Sequence, residues 1–263
     1  MKFKPKKKLG QNFLIDKNII NLIVKLGEIK NDDTILEIGP GTGNLTKQIL
    51  AKNPKKLIAV EKDNSLAINL QNQFNNKIVI LNEDILNIID GDFSKKEMII
   101  FGNLPYNISS QILVKFIKHK NLNSIAKKII LMFQKEVADR IVANTNDKQY
   151  GRLSILSSWR MNIKKIKEIS PNSFYPSPKV KSTILTLEPK KNYFRINNPK
   201  NLEHVTNIFF NQKRKMIKKP LSILFKNANE ISKKLKLNTS QRPQNLSPLI
   251  YFKLCKEYEN LIN

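Results

Sequence analysis

The residues Asn103-Leu104-Pro105-Tyr106 come directly after an apolar run, Met98 to Phe101, and set two hydrogen-bond acceptors beside an aromatic ring. The side-chain oxygen of Asn103 and the carbonyl of Leu104 can accept from the two N–H groups of an exocyclic adenine amine. That amine is a poor nucleophile because its lone pair is delocalised into the ring. Two acceptors placed this way turn the lone pair toward an incoming methyl group. Tyr106 can stack on the base, and Pro105 fixes the turn. A bare Asn-x-Pro-Tyr is often only a proline turn after a strand. Its weight here comes from its position, after the fourth strand of a series that opens on a glycine-rich turn.

That turn is Ile35-Leu36-Glu37-Ile38-Gly39-Pro40-Gly41-Thr42-Gly43, a strand running into glycines and then a helix. Gly39 and Gly41 let the backbone approach a ligand closely. Glu61 ends the second strand, where its carboxylate can accept from both ribose hydroxyls, and Asp84 ends the third, where it can accept from an adenine amino group. A dinucleotide fold usually has G-x-G-x-x-G. The G-x-G-x-G spacing and Pro40 favour S-adenosylmethionine, with S-adenosylhomocysteine as its product. Methyl transfer from a sulfonium is an in-line displacement that positioning can drive, so no strong general base is required. Two histidines, His119 and His204, and one cysteine, Cys255, agree with this; they exclude a disulfide framework and point to no metal, and with Trp159 they are assigned to packing or surface. Phe174, among the prolines of Ser173 to Val180, can sandwich a base against Tyr106, although a core phenylalanine is an equal reading of it.

These residues need a sheet to hold them. Apolar runs of strand length occur at 34–38, 57–60, 78–81, 98–101 and 129–133, separated by helix-length stretches at 44–52, 64–74 and 109–118. This rhythm predicts a parallel sheet with helices on both faces. Two further strands, 162–169 and 181–188, suit a closing pair on the sheet edge. Before the first strand, Asp16 can cap a helix that buries Ile19, Ile20, Ile23 and Val24 and ends at Gly27. From Pro199 onward the periodicity is helical, with helices near 200–211, 215–226, 229–236 and 248–260. A domain boundary is therefore expected near residue 190, between a catalytic domain, 1–189, and a helical one, 190–263.

The charge points the same way. Of 263 residues, 47 are Lys or Arg and 21 are Asp or Glu, a net +26, while 40% are hydrophobic and can form a substantial core. The first eight residues contribute five lysines, and residues 190–263 carry 16 basic against 4 acidic groups. Codon bias toward lysine explains part of the excess, yet not its concentration at the two ends. A polyanion surface follows, with nucleic acid ahead of acidic membrane. No apolar run reaches the roughly 20 residues of a membrane span, and the start has no signal-peptide pattern, so a reduced, cytoplasmic protein is expected.

Together, Leu9-Gly10-Gln11-Asn12-Phe13-Leu14, the segment from Glu37, Val60 to Asp63, Asn103 to Tyr106, Tyr150 to Ser154, Phe174 to Ser182, Phe210 to Lys215 and Arg242 to Ser247 resemble the bacterial rRNA adenine N6-dimethyltransferases over almost the whole chain. The resemblance implies a Rossmann-like class I methyltransferase with a seven-stranded, mostly parallel sheet and a small helical domain. It implies four methyl transfers to two adjacent adenosines in a hairpin near the 3′ end of 16S rRNA, in the immature 30S subunit, by a monomer. Asn12, Leu14, Gly39, Gly41, Glu61, Asp84 and Asn103 would hold the cofactor, and Asn103, Leu104, Tyr106 and Phe174 the target adenine. Lys6, Lys7 and Lys8 of the leader and Lys213, Arg214, Lys215, Lys218 and Lys219 would face the RNA, against the plainer reading of a solvated helix face. Two rivals stand beside this: a 23S rRNA adenine methyltransferase of the macrolide-resistance type, and an assembly factor that binds RNA without catalysis.

Overall fold

In a computed structural model, residues 5–6, 10–89 and 97–262 are described. Lys7 and Lys8, expected on the RNA, and Leu9 of the leader motif lie outside them. The chain forms two compact units. The first is Met1–Ala138 with Asn162–Lys190, and the second is Asp139–Met161 with Lys191–Asn263.

Among the described residues, the first unit holds nine strands: β1 (Phe13–Leu14), β2 (Thr34–Ile38), β3 (Lys56–Val60), β4 (Val79–Leu81), β5 (Met98–Asn103), β6 (Ala126–Gln134), β7 (Met161–Ile169, its first residue in the second unit), β8 (Phe174–Tyr175) and β9 (Ser182–Pro189). Seven of them form one sheet in the order β4-β3-β2-β5-β6-β9-β7. The five strands from β4 to β6 pair in parallel, and β9 runs antiparallel to β6. Because helices cover both faces of a parallel sheet, its strands read as unbroken apolar runs, and Ile35, Leu36, Ile100 and Phe101 are all fully buried. The expected closing pair, 162–169 and 181–188, occupies the β9-β7 edge.

The helices among the described residues of this unit are α1 (Lys17–Gly27), α2 (Asn44–Leu50), α3 (Asn64–Phe74), α4 (Ile85–Ile88), α5 (Ser109–Lys118) and α6 (Leu122–Ile125). Asp16 caps α1, accepting from the N–H groups of Asn18 and Ile19, and the helix buries Ile19, Ile20, Ile23 and Val24. Parallel register aligns the strand ends: Ile38 stands opposite both Val60 and Gly102, and Val60 opposite Leu81. The residues that come next, Gly39, Glu61, Asn82 and Asn103, therefore emerge along one edge, where open α/β sheets bind ligands.

After α7 (Lys135–Val142), which spans the division, the second unit holds α8 (Arg152–Arg160), α9 (Pro199–Phe210), α10 (Lys218–Leu224), α11 (Ala228–Lys234) and α12 (Pro248–Ile262). Its core includes Leu202, Val205, Phe209, Tyr251, Leu254 and Cys255. Glu259, almost fully buried, accepts from the N–H groups of Asn197 and Asn198 at 3.1 and 2.8 Å and so satisfies the start of α9.

The division differs from a single cut near residue 190, because 139–161 belong with the helices. The Tyr150 ring meets Phe210 edge-on at 6.1 Å and its hydroxyl donates to the Leu246 carbonyl at 2.9 Å. Trp159 donates to the Phe194 carbonyl at 2.7 Å, and the Arg160 guanidinium lies over the Tyr193 ring. These aromatics meet sequence-distant partners in a helix and in loops of the second unit, which a reading of local periodicity does not register. No helix among the described residues is long and apolar enough to cross a membrane.

Candidate active site

A cavity of about 1260 Å³, part of it open to solvent, lies at the aligned strand ends of the first unit. Five short segments wall it: the leader residues Gly10 to Leu14, the glycine turn from Glu37 to Thr42, Val60 to Lys62, Glu83 to Ile85, and Asn103 to Ile108. Asn12, Leu14, Gly39, Gly41, Glu61, Asp84, Asn103, Leu104 and Tyr106, separated by up to 94 positions in sequence, all line it.

Each wall has a local cause. Gly39 and Gly41 take φ of +66° and +59°, in the left-handed region that a side chain strains. A Cβ on Gly41 would come within 2.8 Å of the Phe13 ring, whereas one on Gly39 would meet nothing nearer than the Asn103 carbonyl at 3.9 Å. The first glycine position thus leaves room for a ligand and the second admits the leader.

The Glu61 carboxylate is buried and clamped on both oxygens. Oε2 accepts from the Gly41 N–H at 3.1 Å and Oε1 from the Asp63 N–H at 2.8 Å. Burial pushes its pKa up, against the pull of those two N–H groups. Asp84 caps α4 through the Leu86 N–H and receives the Lys62 ammonium on Oδ2 at 2.8 Å. Burial opposes ionisation of Asp84, yet Lys62 and the Leu86 N–H outweigh it and hold the carboxyl below its ordinary value.

Asn103 ends β5, and its Nδ2 donates to the Asn12 carbonyl at 2.8 Å. That bond sets the amide plane and leaves Oδ1 as the acceptor. Leu104 is almost fully buried, so its backbone is held while its side chain packs. The Tyr106 ring is tethered at its far end to Ser182, and burial raises its hydroxyl pKa.

Three residues expected at the base or the RNA are engaged within the protein in this structure. Phe174 is 3% exposed and packs in the core with Leu14, Ile169 and Ile184; it does not line the cavity, and the exposed aromatic of this strand is Tyr175. Pairing with β1 explains this, since Phe174 stands opposite Leu14 and turns its ring to the same interior side. The Lys6 ammonium reaches Asp63 Oδ1 at 2.8 Å and so is held against the protein. The half-buried Lys213 donates to the carbonyls of Lys148 and Tyr150 at 2.7 and 2.8 Å. Arg214, Lys215, Lys218 and Lys219 are exposed in the second unit.

Glu37 and Gln11 are among the cavity residues that the sequence reading left without a role. Glu37 is fully buried in β2; burial, with the nearby Glu61 charge adding to it, pushes its carboxyl up to about 8. The signal was present, because a carboxylate inside an otherwise apolar strand must have a reason to be there. Gln11 gave less warning: only its place beside Asn12 marked it.

Residues 2–260 match the family described as Ribosomal RNA adenine dimethylase. A protein of Pelagibacter ubique (strain HTCC1062) named Ribosomal RNA small subunit methyltransferase A is 53% identical over 258 residues, covering 98% of each chain. Among solved structures, a dimethyladenosine transferase from Plasmodium falciparum superposes with a TM-score of 0.78 at 29% identity, covering 94% of this chain and 98% of that one. The 23S rRNA methyltransferase ErmE superposes with a TM-score of 0.69 at 20% identity, covering 94% and 100%, which is a likeness of fold. With its glycine turn, clamped Glu61 and Asn103 to Tyr106 turn set along one sheet edge, and a family match running nearly end to end, this chain belongs to the ribosomal RNA adenine dimethylase family.

Proposed function

We propose that this protein transfers methyl groups from S-adenosylmethionine to N6 of two adjacent adenosines in a hairpin loop near the 3′ end of 16S rRNA, within the immature small ribosomal subunit. The observation that carries this reading is that one cavity joins the Glu61 and Asp84 carboxylates to the Asn103-Leu104-Pro105-Tyr106 turn. A nucleoside cofactor and an acceptor base can then lie end to end.

The residues present fit the cofactor. Glu61 offers acceptors for two ribose hydroxyls, Asp84 an acceptor for an adenine amine, and Leu66 and Ile85 an apolar lining for the ring. Bound there, S-adenosylmethionine supplies a methyl group on an electrophilic sulfonium. The protein's own work is positioning: Asn103 Oδ1 and the Leu104 carbonyl hold the target amine by its two N–H groups, so that its lone pair faces the methyl. Tyr106 stacks on the flipped base and excludes water from one face. The proton leaves the methylated amine readily, and no side chain is needed as a strong base. Four turnovers give two dimethyladenosines.

The small-subunit substrate is favoured over 23S rRNA by the name of the 53% identical relative, since the likeness to ErmE extends to fold alone. An assembly factor without catalysis is disfavoured by the intact cavity wall. The second unit, with Arg214, Lys215, Lys218 and Lys219 exposed, is the proposed rRNA-binding part. We extend the proposal to a monomer acting in the cytoplasm. Mass spectrometry of rRNA after incubation of immature small subunits with the protein and labelled S-adenosylmethionine tests it. Label in two adjacent adenosines near the 16S 3′ end is expected; label in 23S rRNA alone, or none, overturns it.

A further inference from the structure

Outside the cavity, one carboxylate touches two of its walls. Asp63 follows β3 and is 4% exposed, yet it is absent from the cavity lining. Its Oδ2 accepts from Gln11 Nε2 at 3.0 Å, across 52 positions of sequence. Its Oδ1 accepts from Lys6 Nζ at 2.8 Å and from the Ser65 N–H and hydroxyl at 3.0 and 2.8 Å. Its backbone N–H donates to Glu61 Oε1 at 2.8 Å. Gln11 in turn accepts the Lys6 N–H on Oε1 at 2.7 Å, so both ends of its amide are committed.

Besides the pairing of β1 with β8, the leader wall from Gln11 to Leu14 is tied down by side chains at three points. The Asn12 carbonyl is held by Asn103 and the Leu14 carbonyl by Asn44 Nδ2 at 2.9 Å. Asp63 makes the third tie, through Gln11, and alone of these three it also donates to the Glu61 carboxylate. Despite burial, which acts to raise it, hydrogen bonds from Lys6, Ser65 and Gln11 hold the Asp63 carboxyl at about 2, so it stays a full acceptor at neutral pH.

We infer that Asp63 is a positioning residue for the cofactor: its side chain holds Gln11 and its backbone holds Glu61, so that one residue sets the spacing of the leader wall from the ribose-binding carboxylate. This rests on the proposed cofactor reading of the cavity. The effect is on affinity for the nucleoside, because neither Asp63 nor Gln11 meets the Asn103 to Tyr106 turn where the base would sit.

Asp63 also caps α3 through Ser65, and a merely structural role would end there. The variants separate the two roles. Asp63→Ser keeps a good capping side chain but cannot hold Gln11 and Lys6 together. Gln11→Ala touches no cap. Calorimetric titration with S-adenosylhomocysteine is expected to show affinity about five- to tenfold weaker in each, with the double variant no weaker than either. The kcat at saturating S-adenosylmethionine should stay within about twofold of the unsubstituted protein. Unchanged affinity in Gln11→Ala, or losses that simply multiply in the double variant, overturns the inference. If the unsubstituted protein fails to bind S-adenosylhomocysteine, the cofactor reading itself falls and takes this one with it. Should Asp63→Ser not fold, Gln11→Ala decides alone.

Discussion

The Tyr106 hydroxyl lies 2.6 Å from the Ser182 hydroxyl, joining the turn after β5 to the first residue of β9. Ser182 is fully buried, so the aromatic ring is fixed at both ends, by its backbone turn and by a strand residue. A flat face held this way offers a base a surface that need not be ordered at the moment of binding.

Breaking that tether should therefore cost rate more than fold. Tyr106→Phe and Ser182→Ala are each expected to lower methyl transfer roughly three- to tenfold, with the double variant no worse than either. Tyr106→Ala removes the stacking face, worth about 1–3 kcal/mol, and should weaken the rRNA substrate further. Single-turnover kinetics checks both. Independent losses from the two hydroxyls would show that they do not act as a pair.

Asn103 carries the acceptor on which the amine geometry depends. Asn103→Ala is expected to reduce methylation about a hundredfold or more, the scale seen when a single placed hydrogen-bonding group is removed from a transition-state site. Co-sedimentation with immature subunits should be unchanged. Methyl transfer at the normal rate would remove Asn103 from the mechanism.

Glu61→Gln tests the clamp from within the cavity. An amide must turn its NH2 toward either the Gly41 or the Asp63 N–H, leaving two donors face to face. Cofactor affinity should drop about tenfold or more by calorimetry, and unchanged affinity would refute the ribose assignment.

Two buried carboxyls make opposite predictions for stability against pH. Glu37 holds a proton up to about 8 in the folded state, while an unfolded glutamate ionises near 4.5. The unfolded chain thus binds fewer protons between those values, and stability falls as pH rises from about 4.5 toward 8. Asp63 is depressed to about 2 from 3.8, so its contribution is complete above 3.8 and is lost as pH falls through 2. Urea unfolding of Glu37→Gln should show a flatter profile between pH 4.5 and 8; an identical slope would assign it to other groups.

The basic residues divide by what their charges already touch. Replacing exposed Arg214, Lys215, Lys218 and Lys219 should lower the slope of log affinity against log salt by up to about 0.7–0.9 for each phosphate left without its cation. Lys213→Ala should instead destabilise the second unit, since its ammonium satisfies two backbone carbonyls. Fluorescence titration at several salt concentrations, beside thermal melts, separates the two kinds of lysine.

What the sequence made legible follows from where physical constraints are local. The runs at 34–38 and 98–101 announced buried parallel strands because both faces are covered, and Asp16 announced α1 because capping acts over three residues. The β1-β8 ribbon was invisible, since two-residue strands have no period and pair across the whole first unit. Phe174 illustrates the same limit: the prolines around it marked a non-helical segment, but the inward turn of its ring is set by its pairing with Leu14. Composition registered the charge of Lys6 and Lys213 and not the protein groups that hold them.

The β1-β8 ribbon has a consequence for how the protein is made. Phe13 and Leu14 cannot be paired until Phe174 and Tyr175 exist, some 160 residues later. At a synthesis rate of about 5–20 residues per second, the leader waits roughly 8–32 seconds for its partner. A ribosome-bound chain short of Phe174 would have most of the sheet and the whole Asn103 to Tyr106 turn, yet a leader wall held by its side-chain ties without the backbone pairing of β8. The leader wall therefore gains its full fastening only in the nearly finished chain.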